Sequence, residues 1–316
     1  MDRKTIFITG GTGFVGRHVI DALLSAGYGV RALVRDQPIE RDGVESIRGD
    51  LFDAAALDKG LAGCDAAVHL VGIIREEPEK NVTFERIHVE GTRAVVEAAK
   101  RNGVGRLLHM SALGARADSE SDYSRTKADA EAIVRESGLA FTIFRPSVIL
   151  GLGGEFTTML EEWSRGTRMP YFFMPYFGTG LFGLSPRKVQ PVDVRDVAAC
   201  YAKALALPET VGQTYELGGP EPMSWPRMYA LASTHYTGTP KLQLGFPIWY
   251  AKLVATLAPA NWLPFNKAQV VMAGEDNTCD PGVMPRAFGV TPHTLQEALA
   301  GADRTLNVQR PTLNAQ

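Results

Sequence analysis

The apolar positions in the first half of the chain form short continuous runs that alternate with segments of helical spacing. The first run, residues 6–8, precedes a helix predicted over 17–26, where apolar side chains recur every three to four positions. Further runs, which predict strands, occupy residues 30–35, 44–51, 66–72, 106–111 and 141–146. Continuous apolar runs are typical of parallel strands buried on both faces. The alternation predicts an α/β fold, a doubly wound Rossmann-type parallel sheet with right-handed crossovers.

The pattern changes after residue 150. A helix is predicted over 155–165, and the following residues, 169–186, are rich in aromatic side chains, proline and glycine. A second helix, capped by Asp193, is predicted over 193–207, and a strand over 213–217 is assigned to the smaller lobe. Loops of this aromatic kind commonly line substrate pockets at the carboxyl edge of a sheet.

These patterns predict two lobes that interleave in sequence. A dinucleotide-binding domain is expected over residues 1–150, with a returning segment near 188–207. A smaller, mostly helical lobe is expected over 151–316, because helical patterns interrupted by proline dominate the last hundred residues.

Composition narrows the class of protein. The 316 residues are 45% hydrophobic with a net charge of −2, so one or two domains with a large core are expected, and nucleic acid is not predicted as a partner. Three scattered cysteines favour a reducing compartment and argue against a disulfide framework or a metal site. The first predicted strand begins close to Met1 and no run of eighteen apolar residues occurs, so a cytoplasmic protein is expected.

A glycine-rich turn, TGGTGFVG at residues 9–16, links the first strand to the first helix. Gly10 allows the sharp turn, Gly13 leaves room for a pyrophosphate, and Gly16 lets the helix pack closely on the sheet. Unpaired N–H groups and the positive end of the helix dipole then face the phosphates. The residues predicted to hold the cofactor here are Gly10, Gly11, Thr12, Gly13, Phe14, Val15 and Gly16. The strand and helix on either side favour this interpretation over a purely structural turn.

The end of the second strand bears on the choice of cofactor. NAD-specific sites usually place an acid there to bind ribose hydroxyls, but this chain has Val34 and Arg35. A guanidinium binds a ribose 2′-phosphate that a carboxylate would repel, so NADP is favoured, with Arg17 as a second phosphate contact. The alternative is that both arginines are solvated surface charges, and Asp36 keeps NAD open.

The ends of the next two strands supply further cofactor contacts. Asp50 can accept the adenine amino group while Leu51 packs on the ring; alternatively Asp50 caps the following helix. Val71 and Gly72 are predicted to lie against the cofactor, since Gly72 permits close approach of the backbone. His69, within the same strand, is interpreted as a core histidine with a hydrogen-bond partner.

Tyr123 and Lys127 are the candidate catalytic pair. They lie four positions apart at the start of a predicted helix over 123–134, so they project from one face. An ammonium beside a phenol favours the phenolate, and we expect the tyrosine pKa to fall below its usual value near ~10. The lysine can also hydrogen-bond the nicotinamide ribose. The pair is suited to acid–base chemistry at a carbon that exchanges a hydride.

Taken together, these features resemble the extended or atypical short-chain dehydrogenase/reductase family over most of residues 4–219. The resemblance is carried by TGGTGFVG, Gly49-Asp50, the strand bearing Ser111, the YxxxK pair, Arg145-Pro146-Ser147 and the sequence PVDVRDVA at 191–198. It implies hydride transfer at a secondary alcohol or ketone, as a net reduction or as a step of epimerisation. It also implies that Ser111 is an oxyanion donor and that Pro146 and Ser147 pass near the nicotinamide.

Within this family the later chain is similar to the nucleotide-binding accessory subunit of respiratory complex I and its bacterial relatives. The similar segments are HMSAL at 109–113, the proline-rich apolar stretch 246–265, and FGVTP at 288–292. The stretch 246–265 predicts either ordinary packing or docking on a membrane or partner, because Trp249, Tyr250, Lys252 and Trp262 surround an apolar middle. Docking would place the protein at the inner face of the membrane.

One departure from the family leaves two functions open. Active extended members carry a serine or threonine late in the fifth strand, where this chain has Ala112, with Ser111 one place earlier. Because successive strand side chains face opposite ways, either Ser111 serves after a local shift or the hydroxyl is missing. The first hypothesis is an NAD(P)-dependent oxidoreductase or epimerase that uses Tyr123, Lys127 and Ser111. The second is a non-catalytic module that binds NADPH structurally. Aromatic residues within 169–186 suggest an apolar or quinone-like substrate, unless they pack on one another.

Overall fold

Continuous apolar strands form the centre of the first of two compact units. The computed structural model describes residues 3–257 and 267–306. The first unit comprises residues 1–146, 197–217 and 283–290, and the second comprises 147–196, 218–282 and 291–316, in each case as far as they are described. None of the described helices has the length and apolar character needed to span a bilayer.

The bounds of the elements follow. The strands are β1 (Thr5–Thr9), β2 (Gly29–Val34), β3 (Val44–Arg48), β4 (Ala66–His69), β5 (Arg106–Met110), β6 (Ala140–Pro146), β7 (Ile149–Leu150), β8 (Met174–Thr179), β9 (Ser185–Pro186), β10 (Lys188–Val189), β11 (Val192–Asp193), β12 (Gln213–Leu217), β13 (Met223–Ser224) and β14 (Gln243–Pro247). The α-helices are α1 (Phe14–Ser25), α2 (Ala54–Leu61), α3 (Gly91–Arg101), α4 (Asp122–Glu136), α5 (Glu155–Arg165), α6 (Val194–Ala204), α7 (Trp225–Thr237), α8 (Ile248–Leu257), α9 (Lys267–Ala273), α10 (Val283–Phe288) and α11 (Leu295–Leu306). A π-helical turn at Glu85–Glu90 precedes α3, and short 3₁₀ turns lie at Pro78–Lys80 and Pro208–Thr210.

The central sheet is parallel throughout, in the order β12-β6-β5-β4-β1-β2-β3. The chain winds outward from β1 to β3, then returns to β4 on the other side of β1 and continues outward. This reversal confirms the predicted doubly wound Rossmann-type sheet and places a crevice at the carboxyl ends of β1 and β4.

The prediction for residues 213–217 was wrong in one respect. The strand forms as predicted, but β12 pairs in parallel with β6 as the seventh strand of the central sheet. It therefore does not belong to the smaller lobe. The reason is topological, because the helix before it returns to the sheet and delivers the strand to the free edge of β6.

Burial of the central strands accounts for their apolar sequences. All four residues of β4 are buried, and Phe7, Leu57 and Leu107 are among the largest side chains that are fully enclosed. Both faces of the sheet are covered, as continuous apolar runs require. Arg106 extends from the start of β5 and donates to the Ala204 carbonyl at 3.1 Å.

The second unit has a core of its own. Leu160, Trp163, Met174, Met228 and Leu299 are buried in it. The aromatic segment 169–186, predicted as a loop, contains β8 and β9, which form a three-stranded sheet with β14. The helices predicted over 155–165 and from 193 are confirmed as α5 and α6.

The cap of α6 has the predicted chemistry. Asp193 Oδ1 accepts a hydrogen bond from the Arg195 backbone N–H at 2.7 Å, which satisfies a donor in the first turn of the helix.

Replacing Gly16 by alanine tests the packing of α1 on β1. A Cβ at Gly16 would lie 2.0 Å from the Gly10 carbonyl oxygen, whereas one at Gly105 would meet no atom within 4 Å. We expect Gly16→Ala to lower the free energy of unfolding by about 1–3 kcal/mol, and Gly105→Ala to change it by less than about 0.5 kcal/mol. Urea denaturation measures both. Equal stabilities of the two variants would contradict the packing described.

Candidate functional site

The glycine turn forms an open cradle at the end of β1. Gly10 has φ +77° and its carbonyl accepts the Gly13 N–H at 3.1 Å, which closes the turn. Gly13 is the N-cap of α1 and carries no capping side chain, so the first N–H groups of the helix lack intrahelical acceptors. Thr12 and Gly13 are exposed, Phe14 is half-buried, and Gly11, Val15 and Gly16 are buried. A Cβ at Gly10 would press on the backbone of Leu70 and Val71 at 3.1 Å, so the turn needs glycine at this position. The free N–H groups at the start of α1 are of the kind that bind a pyrophosphate.

The candidate phosphate-binding arginine follows the neighbouring strand. β1 and β2 pair through Thr9 and Leu33, so their carboxyl ends lie side by side. Arg35 comes immediately after β2, and its side chain is exposed. Arg17, on α1, is exposed as well. Both guanidinium groups are therefore available to an anion at this edge of the sheet.

Asp50 and Leu51, the two predicted adenine contacts at the end of β3, differ in exposure. Asp50 is exposed and accepts the Phe52 N–H at 2.7 Å, whereas Asp53 caps α2 by accepting the Ala56 N–H at 3.0 Å. The alternative that Asp50 is the helix cap was therefore wrong. Leu51 is 7% exposed and belongs to the core cluster of the first unit, so its contact with an adenine ring stays a prediction.

Gly72 and Lys127 meet beyond the end of β4. Gly72 is exposed and Val71 is half-buried. A Cβ at Gly72 would lie 3.2 Å from Lys127 Nζ, so the absence of a side chain leaves space beside the ammonium. Lys127 Nζ donates to the Met110 carbonyl at 2.8 Å, at the carboxyl end of β5. Burial lowers the pKa of Lys127 to about 8, and the nearby Glu131 carboxylate opposes this shift.

Tyr123 and Lys127 lie one turn apart on α4, as predicted, but the pKa prediction for the tyrosine was wrong. Burial raises the pKa of Tyr123 to about 12. The ring is held edge-on between Phe84 and His88, at centroid distances of 5.7 and 5.4 Å. The cause is the loss of water around the phenol, and the lysine ammonium is directed to a backbone carbonyl. The phenol is therefore protonated at neutral pH.

His88 is a site residue that sequence reasoning missed. It lies in the π-helical turn, and its Nδ1 is 2.9 Å from Thr126 Oγ1. The Thr126 hydroxyl donates to the Asp122 carbonyl at 2.9 Å, so the Nδ1–H of His88 donates to Thr126 and Nε2 accepts the Ile73 N–H at 3.1 Å. Burial, followed by the charge of Lys127, lowers the pKa of His88 to about 2. A neutral imidazole thus ties the backbone after Gly72 to the first turn of α4.

The signal that could have found His88 is the helix in which it lies. The spacing of apolar residues over 84–101 predicts one α-helix, but the first part is π-helical, and such turns are frequent at functional sites. A histidine on the apolar face of that helix needs polar partners, and those partners lie on α4 and beyond β4.

The Ser111 side chain lies beside Glu131. Its side chain is 3% exposed and lies close enough to the Glu131 carboxylate to help lower the pKa of that group. Among the described residues, however, Ser111 Oγ makes no hydrogen bond of normal geometry. Glu131 is two turns of α4, about 12 Å of helix, beyond Tyr123. Arg145 holds Glu131 through two hydrogen bonds of 2.7 Å, so Ser111 faces a structural ion pair.

Pro146 and Ser147, the two residues predicted near the nicotinamide, belong to different units. Pro146 ends β6, is buried, and accepts the Leu113 N–H at 3.0 Å. Ser147 begins the second unit, and its hydroxyl donates to Asn277 Oδ1 within that unit. The Ser147 hydroxyl is therefore committed to an internal contact.

Two further buried histidines, His69 and His109, stack on each other. His69 Nδ1 lies 2.7 Å from Thr9 Oγ1 and Nε2 lies 3.2 Å from Thr92 Oγ1, which confirms the prediction of a core histidine with partners. Burial lowers the pKa of His69 to about 3. His109 stacks on it at 5.4 Å, is 1% exposed, and has no hydrogen-bond partner among the described residues at either ring nitrogen.

Metal-binding side chains show no grouping in the part of the chain that the structure describes. No three His, Cys, Asp or Glu residues there are close enough to hold an ion. The polar groups that converge at the carboxyl ends of the strands are instead N–H donors, arginines, a lysine and a phenol. This set suits an anionic dinucleotide and a proton transfer.

Comparison with known proteins agrees with this geometry. The NAD(P)H-binding family matches residues 10–159. The chain is 32% identical over 252 residues to (4-alkanoyl-5-oxo-2,5-dihydrofuran-3-yl)methyl phosphate reductase of Streptomyces griseus, an alignment that covers 78% of this chain and 77% of that protein. A solved structure of the NADPH-dependent quinone oxidoreductase QOR2 of Escherichia coli with NADPH has a TM-score of 0.70 at 21% identity, covering 93% of this chain and 98% of that one.

Two other relatives are matched over less of their length. A ceramide reductase of Caulobacter vibrioides is 38% identical over 155 residues, covering 48% of each protein. The mitochondrial NADH dehydrogenase (ubiquinone) 1 alpha subcomplex subunit 9 of Arabidopsis thaliana is 31% identical over 274 residues, covering 83% of this chain and 65% of that protein. The chain thus spans half to two thirds of these two relatives.

Replacing His109 by phenylalanine tests the burial of the histidines. His109 is neutral in the folded protein because burial holds its pKa well below 6.5, but it takes up a proton below pH 6.5 once unfolded. The contribution of His109 to the free energy of unfolding is therefore lost as the pH falls below 6.5. Below pH 6, the free energy of unfolding decreases as the pH falls. We expect His109→Phe to reduce the slope of this decrease by about 1.4 kcal/mol per pH unit.

Urea unfolding between pH 5 and pH 7 measures this slope, with His69→Phe as the matched variant. His69→Phe should flatten the slope equally, but it should also cost about 1–3 kcal/mol at pH 7, because Thr9 and Thr92 lose their partner. An unchanged slope in both variants would contradict the claim that His69 and His109 are neutral in the folded protein.

Proposed function

Because this chain belongs to the extended short-chain dehydrogenase/reductase family of NAD(P)-binding proteins, we propose that it is an NADPH-dependent reductase. Its substrate is an apolar ketone, which it converts to a secondary alcohol, or a quinone-like compound, which it converts to the hydroquinone. The observation that carries the proposal is the meeting of Tyr123, Lys127 and Gly72 at the carboxyl ends of the strands next to the glycine cradle.

The proposed roles follow from the protonation states. The bound nicotinamide supplies the hydride. Tyr123, protonated because its pKa is about 12, donates its proton to the carbonyl oxygen, which becomes the product hydroxyl. Lys127 keeps its charge at neutral pH, because its pKa is about 8, and holds the ribose hydroxyls of the cofactor. A phenol of raised pKa that donates a proton is suited to the reductive direction.

His88 is proposed as a positioning residue. Its ring packs edge-on against Tyr123 and hydrogen-bonds both Thr126, on the same helix, and the Ile73 N–H. These contacts fix the phenol relative to the backbone after Gly72. Ser111 is assigned no chemical step, since it lies beside Glu131.

We propose NADP(H) as the preferred cofactor. Support comes from the exposed Arg35 directly after β2, where a 2′-phosphate would lie if the cofactor follows the cradle, with Arg17 on the adjacent helix. Asp50, exposed at the end of β3, is the proposed acceptor for the adenine amino group.

The substrate class is supported by the relatives. One relative is named as a reductase of an alkanoyl-bearing furan phosphate and another as a ceramide reductase, and both names contain an acyl group. We extend this feature to the present chain and propose the same class for its carbonyl substrate.

A second candidate is favoured by Ala112 and by the similarity to the Arabidopsis complex I subunit. In this function the chain is a module that keeps NADPH as a structural ligand and docks through residues 246–265, of which 246–257 lie within the described residues. Slow exchange of the nucleotide without any turnover distinguishes it from a reductase.

Replacing Arg35 by alanine tests the cofactor assignment. A bidentate, charge-assisted contact with a phosphate is worth about 1.5–3 kcal/mol, so the Kd for NADPH should rise roughly 10- to 100-fold. The Kd for NADH should stay within about threefold. Arg93→Ala, an exposed arginine on α3, is the control and should change neither value. Equal weakening of NADH by Arg35→Ala would overturn the assignment. Fluorescence titration of the nicotinamide gives all four constants.

Replacing Tyr123 by phenylalanine tests the proton donor. Loss of a general acid should lower kcat about 10²- to 10⁴-fold with apolar ketones or quinones, while the Kd for NADPH stays within about twofold. Ser111→Ala is the matched variant and should retain kcat within about threefold, because its hydroxyl faces Glu131. Oxidation of NADPH at 340 nm gives both rates. Equal losses in the two variants would show that Ser111 shares the chemistry.

A further inference from the structure

The second unit exposes a concentration of large apolar side chains. Of the large apolar residues exposed in the described chain, all but Phe52, Ile74 and Val211 belong to this unit. We define the apolar surface by six of these residues, which lie on α8 and on the segments that precede or connect β8, β9 and β14. These are Phe172, Leu181, Phe182, Leu184, Leu242 and Trp249. The exposed fraction reaches 84% at Phe172, so the ring is almost fully in water.

Hydrogen bonds join these elements into one surface. The Met174 N–H donates to the Leu242 carbonyl at 2.8 Å, which places Leu242 beside the segment bearing Phe172. Trp249 Nε1 donates to the Leu181 carbonyl at 3.4 Å, which ties α8 to the turn between β8 and β9. The exposed residues therefore lie on elements that are hydrogen-bonded to one another, whereas monomeric proteins usually scatter their exposed apolar side chains singly.

The outward face of α8 is the apolar one. Trp249, Tyr250 and Leu253 are exposed at helical spacing, while Ala251 on the inner face is buried and small. A helix with this orientation leaves large side chains free to enter an apolar phase. Trp and Tyr are also the residues that favour the interface between lipid headgroups and acyl chains.

The charge of the same part of the sequence is uniformly positive. Residues 163–192 and 222–274 contain no Asp or Glu, so all 35 acidic residues of the chain lie elsewhere. The basic residues of these two segments are Arg165, Arg168, Arg187, Lys188, Arg227, Lys241, Lys252 and Lys267. Glu161 and Glu162, just before the first segment, pair with Arg165 and Arg168.

Arg187 and Lys188 carry the clearest positive charge at the edge of the apolar surface. Both are exposed and follow β9 directly, and neither side chain is paired with an acid among the described residues. Asp276 approaches Lys188 only through a hydrogen bond from the backbone N–H. An apolar surface edged by unpaired cations, in a chain whose net charge is −2, is complementary to an anionic surface with an apolar interior.

We propose that this surface docks the protein on an anionic phospholipid bilayer. Phe172, Leu181 and Trp249 enter the headgroup and upper acyl region, and Arg187 and Lys188 contact the lipid phosphates. A second copy of the chain fits less well, because a symmetric contact would bring the same cations of each copy together. The proposal goes beyond the proposed reductase function and does not depend on Tyr123 or on the cofactor.

Flotation of the full chain with phosphatidylcholine vesicles, with and without phosphatidylglycerol, tests the proposal. We expect binding to the vesicles that contain phosphatidylglycerol and little binding to phosphatidylcholine alone, with weaker binding at high salt. Neutralising Arg187 and Lys188 together (Arg187→Gln, Lys188→Gln) should weaken binding roughly 25-fold, about fivefold for each charge.

A second variant tests the apolar contribution. Phe172→Ser with Leu181→Ser should lower the partition coefficient roughly tenfold or more. Val211→Ser removes an exposed apolar residue from the first unit and should leave binding unchanged. Thermal unfolding of each variant confirms that it is folded before its binding is compared.

Three results would overturn the proposal. The first is the absence of flotation with phosphatidylglycerol vesicles. The second is equal binding to both kinds of vesicle, which would remove the role of Arg187 and Lys188. The third is a stable dimer in solution that Phe172→Ser with Leu181→Ser dissociates, which would make a second copy the occupant of the surface.

Discussion

A buried lysine is the constraint on which the rest of the site depends. Lys127 Nζ donates to the Met110 carbonyl at the end of β5, and the absence of a side chain at Gly72 leaves space beside it. Its charge helps to lower the pKa values of three buried histidines, of which His88 packs against Tyr123. The charge of Lys127 therefore adds to the larger effect of burial, which keeps these histidines neutral, and the neutral imidazole of His88 joins α4 to the backbone after β4.

Much of the first unit could be predicted from sequence, because local patterns determine it. Continuous apolar runs located the strands, and the glycine turn located the junction of β1 and α1, although the helix begins at Phe14 and not at the predicted residue 17. The four-residue spacing of Tyr123 and Lys127 correctly placed both on one helix face. These features depend on helical periodicity or on the size of a single side chain, and both can be read directly from the amino-acid sequence.

What could not be predicted depends on long-range contacts. The edge position of β12 is decided by the path of the helix before it. The raised pKa of Tyr123 arises from its enclosure by Phe84 and His88, which come from a segment some forty residues earlier. The direction of the Ser111 side chain was correctly suspected from strand alternation, but its neighbour Glu131 became visible only in the folded chain.

The two units divide the proposed functions between them. The first unit holds the groups for proton transfer and nucleotide binding, and the second carries the exposed apolar and basic residues. A reductase for apolar carbonyl compounds gains from contact with a bilayer, since such substrates concentrate there. This relation links the two proposals without making either depend on the other.

The central claim is that the bound cofactor takes part in chemistry at this site. The most direct test uses NADPH labelled with deuterium at C4 and a set of apolar ketones and quinones, with products analysed by mass. The account predicts a reduced product that carries one deuterium on the former carbonyl carbon when a ketone is the substrate. Retention of tightly bound NADPH with no deuterium transferred, and no oxidation of the cofactor by any compound of the set, would contradict it and identify the nucleotide as a structural ligand.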